Sequence, residues 1–181
     1  MTAGDALRLG TAPAAGTWVA DPAATRVSFT ARNLGLRDVV GTVRVTEALV
    51  TVDAVGRPVD VRAAADLSTV ATGIARRDAD LAGRRFFDVE HHPELVLVAH
   101  RVEEAAQGWR VHTSLAVRGA AVPLDLDVQV AAPPEEPAGS WALVATGTLD
   151  LRDTPIRAPR LLVGRFVTVR IETVLARGAA A

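Results

Sequence analysis

Residues 25–32, TRVSFTAR, set Val27, Phe29 and Ala31 on one face of an extended chain and Arg26, Ser28, Thr30 and Arg32 on the other. Successive side chains of a strand point to opposite sides of a sheet, so this period of two predicts a half-buried strand. The same period returns in residues 39–48, 48–54, 58–67, 94–103, 109–118, 122–130, 141–151 and 164–175. Nine short strands predict an all-β architecture. Gly56-Arg57-Pro58, Gln107-Gly108, Arg118-Gly119 and PPEEPAG at 133–139 interrupt the alternation at hairpin spacing, so neighbouring strands are expected to run antiparallel. One stretch departs from the pattern. In residues 74–92, IARRDADLAGRRFFDVEHH, the positions Ile74, Asp78 and Leu81 recur at helical spacing, which predicts one short helix and a loop, closed by Pro93.

The whole chain has 181 residues, enough for one domain with a substantial core. Its net charge of −1 lacks the basic excess that a phosphate backbone demands, so nucleic acid is not an expected partner. No apolar run is long enough to cross a bilayer. The opening residues carry charges where a signal peptide carries its hydrophobic segment, which points to the cytoplasm. Residues 1–16 are expected to be a disordered leader and 177–181 a disordered tail, leaving 17–176 as the domain. There is no Cys, which excludes disulfides, thiolate zinc sites, iron–sulfur clusters and a Cys nucleophile. All 20 basic residues are Arg, so a Schiff-base Lys is excluded as well. His91, His92, His100 and His112 do not form a metal-ligand pattern. Ser28, Ser68, Ser114 and Ser140 lack the Gly-x-Ser-x-Gly elbow. No metal, cofactor or catalytic residue is therefore assigned.

A sheet of this kind must close or stack to bury its apolar face. A closed barrel with slim inward side chains retains room for one small ligand. Val61, Ala63, Ala65 and Leu67, or Leu143, Ala145, Gly147 and Leu149, are such faces, although the same small residues also suit a tightly packed sandwich. Phe86 and Phe87 would cap an internal space, and Trp109 and Trp141 share parity with apolar faces. Asp78 beside Arg77 reads as an ion pair anchoring the helix to the sheet. Both faces of residues 94–103 are apolar, which suits a homodimer contact.

The segment RRDADLAGRRFFDVEHHPEL, residues 76–95, resembles the signature of the YceI-like family of polyisoprenoid-binding, lipocalin-like proteins, with Arg77, Asp78, Leu81, Phe86, Phe87, Asp88 and Pro93 in the family's order. SLAVRGAAVPLDLDV at 114–128 and the closing GTLDLRDTPI and LLVGRFVTVRIE also follow it, and the resemblance extends over residues 17–176. It implies an antiparallel, up-and-down, lipocalin-like β-barrel of about eight strands with one short helix and an apolar internal tunnel. A long prenyl or otherwise lipid-like chain would occupy the tunnel. On this reading Phe29, Ala31, Asn33, Val43, Val61, Phe86 and Phe87 contact the ligand, as do Leu97, Trp109, Leu115, Leu126, Trp141, Leu143 and Leu149. Arg32, Arg37 and Arg157, beside Asn33, would meet its head group. The chain departs from the family where Ala24 and Thr25 replace a His-Ser pair, Asn33 replaces a His, and Arg165 replaces an acidic residue. The expected function is binding and sequestration or transport of a hydrophobic small molecule. The alternative is a cofactor-independent cyclase or isomerase that exploits proximity in the same cavity.

Overall fold

The structure, a computed structural model, describes residues 13–33, 37–131, 139–159 and 163–178. The described strands are β1 (Gly16–Ala20), β2 (Arg26–Asn33), β3 (Arg37–Val52), β4 (Pro58–Ala71), β5 (Glu94–Ala105), β6 (Gly108–Val117), β7 (Ala120–Val130), β8 (Ser140–Asp150) and β9 (Val163–Arg177). A single helix, α1 (Ala75–Ala82), lies between β4 and β5, and a 3₁₀ turn, Leu151–Asp153, follows β8. The strands hydrogen-bond antiparallel in the order β2-β9-β8-β7-β6-β5-β4-β3 and back to β2. β1 occupies the same place in the wall as β2, pairing with β3 at 49–52 and with β9 at 175–177, beyond the point where β2 begins. The result is a closed antiparallel barrel of eight positions, in which every described strand has a partner on each side.

Two features of the wall differ from the sequence expectation. Residues 39–48 and 48–54, read as separate strands, are one strand, β3, with a register shift between Val45 and Glu47. An extra residue in a bulge reverses the parity, so the inward set changes from Gly41, Val43 and Val45 to Ala48, Val50 and Val52 while the hydrogen-bonded ladder continues. β1 is the second difference: five residues are too few to display a period, although Trp18 within it is buried. Of the expected leader and tail, residues 1–12 and 179–181 lie outside the described residues, as do 133–138 of the proline-rich turn; β1 begins at Gly16 and β9 runs to Arg177.

Arg77 and Asp78 do not pair with each other. Consecutive helical residues face different directions, and each finds Thr72 instead. The Asp78 carboxylate accepts from the Thr72 N–H at 2.8 Å and from its hydroxyl. Arg77 donates through Nε to Thr72 Oγ1 at 2.7 Å and through Nη2 to the Thr72 carbonyl at 2.8 Å. Two charged side chains thus fix the angle at which α1 leaves β4. The segment then reaches the opposite wall, where the Arg157 N–H donates to the Arg85 carbonyl at 2.9 Å, in the connection from β8 to β9. Residues 75–87 therefore lie across one end of the barrel. No helix among the described residues is long and apolar enough to cross a membrane.

The other end is filled. Trp18, Ala20, Val52 and Leu175 are buried together, with Val50, Trp141 and Leu143 against them. Trp141 stacks near Trp109, ring centroids 6.0 Å apart, and tilts against Trp18 at 6.2 Å. The Trp18 indole N–H donates to the Ala14 carbonyl at 2.9 Å, as a buried indole requires.

Candidate functional site

Between α1 and the tryptophans the barrel encloses a chamber of about 870 Å³. This lies in the size range of small-molecule sites. Its wall is built from Phe29 and Ala31 of β2, Val43, Val45 and Ala48 of β3, Ala63 and Ala65 of β4, Leu95 and Leu97 of β5, Leu115 and Val117 of β6, Leu124 of β7, Leu149 of β8, and Val167, Val169 and Ile171 of β9. Leu81, Phe86 and Phe87 border it from the crossing segment.

Two local devices keep the space open. Along the β3–β4 seam Ala48 pairs with Ala63 and Val45 with Ala65, so small side chains meet where larger ones would fill the interior. The Phe29 ring lies on Gly41, its cross-strand partner: a Cβ on residue 41 would fall 2.2 Å from Phe29 Cζ. The missing side chain lets the ring rest on the wall. The uncharged polar residues of the lining are Thr25, Asn33 and Thr173. Thr25 donates its hydroxyl proton to the Asp21 carbonyl at 2.7 Å, so the 2.7 Å contact between the Thr25 and Thr173 hydroxyls uses the Thr173 proton.

The sequence-expected positions Phe29, Ala31, Asn33, Val43, Phe86, Phe87, Leu97, Leu115 and Leu149 come together around this chamber. Val61, Trp109, Leu126, Trp141 and Leu143 do not border it. Val61, Trp109 and Leu126 belong to the packed core, and Trp141 and Leu143 to the cluster around Trp18. Period-two parity identifies a face, but not the depth of a residue along the barrel axis, and these five lie toward the filled end. In residues 94–103 the two apolar faces separate, with Leu95 and Leu97 on the chamber and Val96 and Val98 on the alternate face.

Among the arginines expected at the mouth, Arg32 borders the chamber and faces Asp38 at 3.5 Å; Arg37 and Arg157 do not border it. Arg76, Arg84 and Arg85 do, beyond the sequence expectation. The consecutive Arg84-Arg85 directly before Phe86-Phe87 was the signal available for them. Of the positions that depart from the family pattern, Thr25 and Asn33 line the space and Ala24 does not. Arg165 binds Asp150 at 2.5 Å and lies over the Phe166 ring, away from the lining.

Three of the four histidines are engaged separately, His91 with Asp88 at 3.0 Å, His100 with Ser114 at 2.5 Å, and His112 with Asp125 at 3.0 Å and Glu103 at 3.7 Å, while His92 makes its hydrogen bond through the backbone, to the Asp88 carbonyl at 2.9 Å. Among the described residues no group of three His, Cys, Asp or Glu side chains could hold a metal ion.

Asp88 of the Phe-Phe-Asp motif adopts a left-handed backbone, φ 52°, as does Arg118 in the β6–β7 turn, φ 49°. Arg118 stands 3.8 Å from the Asp88 carboxylate and donates to the Pro155 carbonyl at 3.1 Å. These contacts tie the crossing segment to two separate connections of the barrel. The hydrogen bond from His91 holds the Asp88 carboxyl below its usual range, with the positive charges of His91, Arg118 and Arg84 acting in the same direction. A carboxyl depressed on folding contributes stability above its unfolded pKa and loses it as pH falls through the folded one. Asp88→Asn is therefore expected to melt below the wild type near neutral pH, with the gap closing as both are acidified through the carboxylate range, about pH 4 and below. Thermal melts across pH check this, and a gap independent of pH would remove the carboxylate's charge from the account.

The family model described as the YceI-like domain matches residues 18–175. No curated protein matches the chain by sequence. Among solved structures, Burkholderia cenocepacia BcnA superposes with a TM-score of 0.73 at 16% identity, covering 86% of this chain and 98% of that one. The Campylobacter jejuni YCEI protein gives 0.66 at 15% identity, covering 73% and 81%. A polyisoprenoid binding domain from Saccharophagus degradans, implicated in plant cell wall breakdown, gives 0.61 at 15% identity, covering 89% and 98%. At these identities the superpositions establish a shared fold.

Proposed function

The chain belongs to the YceI-like family, and from that premise we propose that it takes a hydrophobic small molecule, an isoprenoid or a comparable lipid-like chain, into the barrel and sequesters or carries it. The observation that carries this reading is the apolar space of about 870 Å³ between α1 and the tryptophan cluster. The Saccharophagus degradans neighbour, named for polyisoprenoid binding, supports the same ligand class. Each methylene removed from water contributes about 0.8 kcal/mol, so the wall needs no polar code to hold a chain. Selection by the wall then rests on thickness and length. A chain entering beneath α1 is stopped by the indoles, which sets an upper limit on how much of it is enclosed.

The test is extraction of the purified protein with organic solvent followed by mass spectrometry. The expected result is one or a few long-chain apolar compounds in near-stoichiometric amount. Protein that is empty on purification and also fails to take up an added long-chain fluorophore would end the proposal.

A further inference from the structure

We infer that the ligand carries an anionic head, a carboxylate or a phosphate, held at the chamber mouth by Arg76, Arg84 and Arg85. This rests on the chamber being a ligand site, as proposed above. Among the described residues, the charged ones bordering the chamber are Arg32, Arg76, Arg77, Arg84 and Arg85 against one carboxylate, Asp80. Five cations and one anion surround an apolar space in a chain whose net charge is −1. Elsewhere on the barrel several arginines are matched, Arg110 with Asp127, Arg165 with Asp150, Arg170 with Glu172 and Arg57 with Glu104, while Arg26, Arg37 and Arg62 are exposed strand residues that do not border the chamber. At the mouth Arg77 is committed to Thr72, and Arg32 faces Asp38. The exposed side chains of Arg76, Arg84 and Arg85 have no hydrogen bond or ion pair to the described residues, although the charge of Arg84 also acts on Asp88 from a distance.

Their place in the chain supplies the second part of the argument. Arg84 and Arg85 immediately precede Phe86 and Phe87, which border the chamber. A chain lying along the phenylalanines therefore brings its end to the guanidinium groups, while Asn33 offers an amide donor from the end of β2. Planar guanidinium forks match the two oxygens of a carboxylate or phosphate. A hydrocarbon gains nothing from them, and a neutral oxygen accepts a hydrogen bond without the charge attraction that an anion adds.

Three probes test this with the full-length protein: cis-parinaric acid, its methyl ester, and dodecyl phosphate as a competitor against the ester. In the wild type the acid, the phosphate or both are expected to bind at least about tenfold tighter than the ester. That preference should shrink as salt rises, because the arginines are solvent-exposed. In the triple variant Arg76→Gln/Arg84→Gln/Arg85→Gln the preference should vanish while the ester binds as before, which also shows that the chamber is intact. The preferred anion names the head. Neither anion exceeding the ester, or a preference that survives the triple variant, overturns this inference and leaves the chamber reading standing. Failure of all three probes to bind the wild type overturns both.

Discussion

Replacing Ala63 by tryptophan is expected to abolish uptake of a long-chain probe while the protein stays folded. Ala63 borders the chamber at mid-wall, with Ala48 beside it across one seam and Leu97 across the other. An indole built there occupies volume that the wild type leaves empty. Overpacking a filled core costs about 1–3 kcal/mol, but this side chain enters free space, so the melting temperature should change by only a few degrees, roughly 2–4 °C per kcal/mol for a chain of this size. A ligand excluded from mid-chamber loses the burial of several methylenes at about 0.8 kcal/mol each, which amounts to about a hundredfold or more in affinity. The control is Ala121→Trp, on an exposed position of β7, which should bind normally. Undiminished binding by Ala63→Trp would move the ligand out of this chamber.

The second large effect concerns the wall. Gly108 opens β6 with φ 137°, a region that side-chain-bearing residues avoid, and a Cβ there would lie 2.0 Å from the Val128 carbonyl oxygen and 3.2 Å from Gln129 Cα. Both neighbours are backbone of β7, so neither can swing aside as a side chain would. Gly108→Ala must therefore strain the hairpin and push apart two strands of a closed ring, for about 3 kcal/mol or more. That corresponds to roughly 6–12 °C in melting temperature. Gly73→Ala separates the two contributions: its φ is 79°, but nothing lies within 4 Å of the added Cβ, so only backbone strain, about 1 kcal/mol, applies. Equal effects at the two positions would refute the close contact with β7.

Much of this architecture was legible in the alternation. TRVSFTAR reads correctly as β2, and the break in period at residues 74–92 marks the segment that crosses the barrel. The family signature falls in that segment because it must join β4 to two distant connections, through Thr72, Asp88 and Arg85. What remained hidden has specific causes. The bulge in β3 conceals a single sixteen-residue strand by reversing its parity. Trp109, Trp141 and Leu143 have the inward parity of their neighbours, yet their distance along the axis depends on strand tilt, which a period of two does not encode. The inward face of β9, Val167, Val169 and Ile171, follows from the same alternation. The Arg84-Arg85 pair before Phe86-Phe87 is a signal in sequence, but only the closed wall brings it to an apolar opening.

The chain contains three tryptophans and no tyrosine, and the indoles of Trp18, Trp109 and Trp141 gather at the filled end of the barrel. Ultraviolet emission from this protein thus originates at one location. Any occupant reaching the bottom of the chamber approaches the emitting groups directly, so a conjugated guest would dim them by energy transfer, and the unlabelled molecule reports on its own filling.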